Sequence, residues 1–141
     1  MLIDLPIEII KLEDESYHVM IEAEFIKGIK GNLIIDTGAS KTVFDQQFVQ
    51  PFITDVEDVE EQNSSGINAM ITQAELGTIP EIGFGELKIE NYKSLLLDLS
   101  HINELYKKYT DKQIAGLLGS DFLLEYEAVI DYGQKRISLN Y

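Results

Sequence analysis

Leu33-Ile34-Ile35 runs without a break into Asp36-Thr37-Gly38-Ala39-Ser40, and this junction constrains the fold more than any other stretch. Three successive apolar residues, two of them β-branched, read as a strand buried on both faces. An ionised carboxylate beside a core has to be paired or hydrated, because desolvating it alone is costly. Gly38 permits a tight turn and close approach of a second backbone, and the Thr37 hydroxyl can tie the turn to a neighbour. The stretch presents a carboxylate on a rigid loop.

The rest of the chain is read around that loop. With 141 residues, 45% of them hydrophobic and 26% charged, the expectation is one globular domain spanning 1–141. There is no cysteine, which excludes disulfides and thiolate metal sites. A formal charge of −14 argues against nucleic acid and anionic membranes as partners. Asp4, Pro6 and Glu8 interrupt the apolar residues of Met1 to Leu12, so that segment reads as neither a signal peptide nor a membrane span. A cytoplasmic protein is expected. The acidic run from Asp55 to Glu61 reads as a solvated loop, lacking the glycine and ligand spacing of a calcium loop.

Residues 2 to 10 alternate loosely, with Pro6 suited to an edge strand. Tyr17, Val19, Ile21, Ala23 and Phe25 share one face of a strand whose other face carries His18, Glu22 and Glu24. His18 and the distant His101 read as structural or surface residues, since metal sites need clustered ligands. A glycine turn at 27–32 returns the chain to Asp36. A short helix or turn is expected over Asp45 to Phe52 and strand over Ile67 to Leu76. A hairpin with Gly83 and Gly85 at its tip and a buried strand over Lys93 to Leu99 follow. Ser100 is positioned to cap a helix whose stripe of Ile102, Leu105, Tyr106 and Tyr109 packs on the core. Ile114 to Leu118 forms another buried strand, followed by a short helix from Ser120 and a closing hairpin. Many short strands, regular turns and two helices make a mainly β domain.

An exposed carboxylate on a turn can bind metal, act as a nucleophile, or serve as general acid and base. Asp36 has no second ligand at metal spacing, and no phosphate-binding loop is present. Acid–base work fits best, and it normally needs two carboxylates sharing a proton.

Leu33 to Ser40 resembles the catalytic motif of aspartic peptidases, in which apolar residues precede Asp-Thr-Gly. Leu117-Leu118-Gly119, followed by Ser120-Asp121-Phe122-Leu123, resembles the second motif of that family. The segment from Ala128 to Leu139 resembles its last hairpin. Together they look like the bacterial single-domain, retropepsin-like peptidases, which implies a single-lobe closed β-barrel with one or two short helices.

The resemblance implies an aspartic endopeptidase that needs no cofactor or metal, with Asp36 catalytic and Thr37, Gly38 and Ala39 forming the active-site loop. Leu117, Leu118 and Gly119 would line the substrate pocket. The hairpin around Asn63 to Ile71 would be the flap, with Ser65, Gly66 and Ile67 in it. One lobe carries one such motif, so a homodimer would supply the second Asp36 through an isologous interface. The partners implied are a second copy and a peptide or protein substrate. The alternative is a dimeric peptide-binding or scaffolding module of the same fold that does not cut. Ala39 stands where pepsin-type members have Ser, and loss of that donor predicts a dyad pKa nearer neutral. The acid and arginine that retroviral members pair across these motifs are replaced by Ser40 and Ser120.

Overall fold

The computed structural model describes residues 1–59 and 74–141. The described strands are β1 (Leu2–Pro6), β2 (Glu8–Lys11), β3 (Tyr17–Phe25), β4 (Lys30–Ile35), β5 (Val43–Asp45), β6 (Thr54–Asp58), β7 (Glu75–Phe84), β8 (Leu87–Leu97), β9 (Ile114–Leu118), β10 (Val129–Asp131) and β11 (Arg136–Asn140). Among the described residues three short α-helices accompany them, α1 (Gln46–Val49), α2 (Ser100–Tyr106) and α3 (Ser120–Glu125), with single 3-10 turns at Glu13–Glu15 and Ile26–Gly28.

Six strands close into a barrel in the order β3-β4-β9-β5-β8-β7, with β7 pairing back onto β3 through Glu24–Gly83 and Phe25–Ile82. Closure is possible because β3 is long. Its start pairs with β2 and its end reaches β7. β2 and β6 extend this sheet beyond the ring, and β1-β11-β10 form a separate three-stranded sheet.

The alternation of side chains along β3 and β4 builds two apolar layers. Val19, Ile21, Ala23, Phe25, Leu33 and Ile35 point into the barrel core. Met20 and Ile34 point outward into a second cluster with Ile10, Leu12, Ile114 and Tyr106 of α2. The Leu-Ile-Ile run is therefore buried on both faces, as its composition requires. Phe25 anchors the inner layer, with ring centroids 6.0 Å from Phe44, 5.1 Å from Phe48 and 5.6 Å from Phe52.

The topology that matters for function is the threading of β9. It runs parallel to β4 and antiparallel to β5, between them. The chain that leaves β4 at Asp36 must therefore cross the end of β9 before entering β5.

Several sequence expectations are corrected. Residues 2–10 are two strands in different sheets, parted at buried Ile7, whose amide donates to the Lys135 carbonyl over 3.1 Å. Residues 55–58 of the acidic run are not a loop but part of the exposed strand β6, paired with β7. Ser100 is the first residue of α2 rather than its cap. The Asp98 carboxylate accepts the Ser100 N–H at 2.9 Å, and this contact holds the Asp98 carboxyl below its ordinary range. The apolar stripe of that helix is only partly core, since Tyr106 is 2% exposed while Leu105 is 42% and Tyr109 36% exposed. A seven-residue helix makes two turns and buries one narrow face. Among the described residues no helix is long and apolar enough to cross a membrane.

Candidate active site

β4 leaves the core at Asp36, which is half-buried while Thr37 and Gly38 are exposed. The Asp36 amide donates to the Leu118 carbonyl at 2.9 Å, extending the β4–β9 ladder by one step. The carboxylate then accepts the Gly38 N–H on Oδ1 at 3.0 Å, and the Ala39 amide donates to the Asp36 carbonyl at 3.1 Å. This is a turn closed by its own aspartate. A Cβ on Gly38 would stand 3.4 Å from Asp36 Oδ1, an ordinary contact distance.

Contacts from the end of β9 and the start of α3 strap the loop down. The Ser120 amide donates to the Ala39 carbonyl at 2.7 Å. The Ser120 hydroxyl lies 2.9 Å from the same oxygen and 3.2 Å from the Thr37 carbonyl. Thr42 is 2% exposed; its hydroxyl accepts the Gly119 N–H at 2.9 Å and donates to Asp121 Oδ1 at 2.7 Å. The same carboxylate oxygen accepts the amides of Thr42 and Phe122 at 2.9 and 2.8 Å, and the Ser94 hydroxyl donates to the Thr42 carbonyl at 3.0 Å. Burial pushes the neighbouring Tyr92 hydroxyl up to about 12, against the opposing effect of a hydrogen bond with Thr42.

Asp36, Thr37, Gly38 and Ala39 are thus brought together over Gly119. Of the two leucines before it, Leu118 is 1% exposed and packs inside the barrel, so it cannot wall a cleft. Leu117 is half-buried and faces the outer cluster. Successive strand residues point to opposite faces, which is why the pair cannot share that role. Ser65, Gly66 and Ile67 lie outside the described residues. Asp121 is committed to Thr42 and α3. Asp131 accepts the Gln134 amide at 2.9 Å in the last hairpin and faces Arg136 at 3.9 Å.

Sequence reasoning set His18 aside, yet it lies beside this loop. Val19 pairs with Ile35, so His18 and Asp36 take the next positions of the two strands. His18 Nδ1 is hydrogen-bonded to the Tyr106 hydroxyl, with ring centroids 5.7 Å apart. Burial pushes Tyr106 up to about 12, and the charge of Asp36 adds to that rise. Only the register of β3 on β4 and the docking of α2 reveal this neighbourhood. Among the described residues no group of three His, Asp or Glu side chains converges to hold a metal.

The sequence model of the aspartyl protease family matches residues 21–122, well over half of the chain. The chain belongs to the aspartyl protease family. The match runs from β3 through the start of α3 and so contains the whole Asp36 loop and its straps. A retropepsin-like aspartic protease from Rickettsia conorii is similar over 100% of this chain and 93% of its own, with 20% identity and a TM-score of 0.58. The retroviral protease-like domain of Ddi1 from Leishmania major is similar over 85% of this chain and 86% of its own, with 12% identity and a TM-score of 0.54. The fold of this aspartyl protease family member is retropepsin-like. No curated protein matches it by sequence.

Proposed function

We propose that this chain is a homodimeric aspartic endopeptidase of one domain, residues 1–141, in which two copies of Asp36 form the catalytic dyad. The observation that carries this reading is the construction of the Asp36 turn. A half-buried carboxylate is held by the Gly38 amide, and its loop is strapped to β9 and α3 by Ser120 and Thr42. A surface turn has no need of such immobilisation, whereas acid–base catalysis requires a positioned group. The chain holds one Asp-Thr-Gly, and Asp121 and Asp131 are engaged elsewhere. A second Asp36 therefore has to come from a second copy.

Two carboxylates facing each other across a two-fold axis cannot both ionise, so they share one proton and titrate as a pair. The ionised member takes a proton from a water held between them, and that water attacks the scissile carbonyl carbon. The protonated member donates to the carbonyl oxygen. When the tetrahedral gem-diol collapses, one of its hydroxyls returns a proton to the dyad and the C–N bond breaks. The leaving amine takes a proton from the dyad, which is left sharing one proton as at the start. Thr37 and Gly38, exposed at the rim, offer a hydroxyl and backbone to the partner loop and the substrate.

The test is sedimentation of wild type and Asp36→Asn, together with cleavage of a mixed peptide library across pH. Asn retains an oxygen that accepts the Gly38 N–H, so the fold and the dimer persist. Cleavage falls by about 10² to 10⁴-fold, the usual contribution of a general acid–base group. A dimer that binds peptides without cutting them would mark a binding module, and a monomer without cleavage would overturn the reading.

A further inference from the structure

We propose that a cavity walled by α1, α2 and the segment entering β9, with Asp45 buried at its base, binds a primary ammonium group, carried by a free alkylamine or by a lysine side chain. The site is separate from Asp36 and does not depend on how that residue is used. The cavity measures about 410 Å³, and Asp45, the last residue of β5, is 3% exposed.

Asp45 precedes α1 at the position where an aspartate commonly caps a helix, yet its side chain makes no capping bond there. Its Oδ1 instead accepts the buried Leu99 N–H at 3.0 Å, which ties the chain after β8 to β5. Among the described residues the second oxygen has no partner, and no cationic side chain pairs with this carboxylate. Among those residues no side-chain oxygen or nitrogen is both sealed from solvent and unpaired. The second oxygen therefore opens to the cavity that Asp45 lines. A carboxylate buried on one hydrogen bond without a cation is costly. A cation entering the cavity offsets that cost.

The lining selects the kind of cation. Calcium and magnesium take about six or more oxygen ligands, and among the described residues no three His, Asp or Glu side chains converge. An ammonium group has three donors. Asp45 accepts one and supplies the charge, while Gln47, Ser100 and Gln113 bring neutral oxygens to the same cavity. Glu104, Lys107 and Asp111 stand exposed at its rim, where solvent screens them, and Lys112 is held by Glu8 at 3.0 Å. The buried charge of Asp45 thus sets the sign of the ligand.

The wall is fixed in advance. Asn103 clamps α2 to the start of β9: Nδ2 donates to the Ile114 carbonyl at 3.0 Å, and Oδ1 accepts the Ile114 amide at 2.8 Å. A wall already in place spares the ligand the cost of ordering it. The Asp36 loop crosses the other end of this five-residue strand, about 16 Å away along the strand.

Amide NMR spectra titrated with n-butylammonium chloride, and separately with n-butanol, test the site. Saturable shifts at Leu99, Ser100 and Gln113 with a millimolar Kd are expected for the amine, and no saturable shifts for the alcohol. Asp45→Asn keeps an oxygen for the Leu99 N–H and should weaken amine binding by about tenfold or more, the scale of a hydrogen bond to a charged group. Asp36→Asn should leave it unchanged, so the result stands apart from peptidase activity. Tighter binding of N-acetyl-lysine amide than of butylammonium assigns the ammonium to a lysine side chain, and the reverse order assigns it to a free amine. Amine shifts that do not saturate, equal shifts with butanol, or full binding by Asp45→Asn overturns the proposal. Binding that emerges only in Lys107→Met also overturns it, since Lys107 is then the counter-ion of Asp45. The amine and alcohol comparison on wild type decides the matter should Asp45→Asn fail to fold.

Discussion

The backbone of Gly119 lies directly against the backbone of Lys41: a methyl group at position 119 would stand 2.6 Å from the Lys41 carbonyl carbon and 2.7 Å from its oxygen. The loop that carries Asp36 crosses the end of β9 at this point, and only hydrogen fits between the two chains. The glycine is there for space.

Gly119→Ala should therefore displace the loop. Since the opposing atoms are backbone, they cannot rotate away, and the expected destabilisation is about 3 kcal/mol, the upper range for overpacking. Urea denaturation measures it. Under the proposed function, cleavage is lost by more than stability alone explains, because the Asp36 turn itself shifts.

Thr42→Val keeps the shape of a buried side chain but removes its hydroxyl. The buried Gly119 N–H then loses its acceptor and Asp121 one of its donors. A loss of about 2 kcal/mol is expected for leaving such a group unsatisfied. Thr42→Ser, which retains the hydroxyl, should recover most of it, and the two midpoints compared in urea decide the matter.

Stability should fall at high pH. Tyr92 and Tyr106 are raised from 10.0 to about 12. In that window the unfolded chain has released these protons and the folded protein still holds them. Unfolding is therefore favoured as pH rises from 10 towards 12, while the contribution is fully present below 10. Burial also raises Tyr126, so three of the seven tyrosines should ionise late in an ultraviolet titration, and Tyr106→Phe should remove one of them and flatten the stability decline.

Two apolar residues of the α2 region separate surface from core. Leu105→Ala, at a side chain 42% exposed, should change stability by less than about 0.5 kcal/mol. Ile114→Ala, at a fully buried site between α2 and the sheet, should cost about 2 to 5 kcal/mol. Thermal or urea melts of the two variants check the contrast.

What could be read directly was local. Three apolar residues ending in Asp-Thr-Gly demanded a strand covered on both faces and a carboxylate on a turn, and β4 and its loop have that form. The alternation from Val19 to Phe25 identified the inner face of β3 for the same reason, since a period of two is a property of the strand itself. Periodicity failed where coverage decided. The stripe on α2 looked continuous, but the helix stops at Tyr106, and of the stripe's four residues it is Tyr106 and Ile102 that pack in the apolar cluster on the sheet.

The sequence by itself determined that the chain is mainly β, where the carboxylate stands, and that the chain carries a single Asp-Thr-Gly. Tertiary structure alone decided that β9 threads between β4 and β5. It decided that Leu118 is core while Leu117 faces outward, and that a histidine and a tyrosine 88 positions apart meet beside Asp36. The physical reason is that strand register and helix docking are fixed by which distant faces cover one another. No local pattern of residue types encodes that choice.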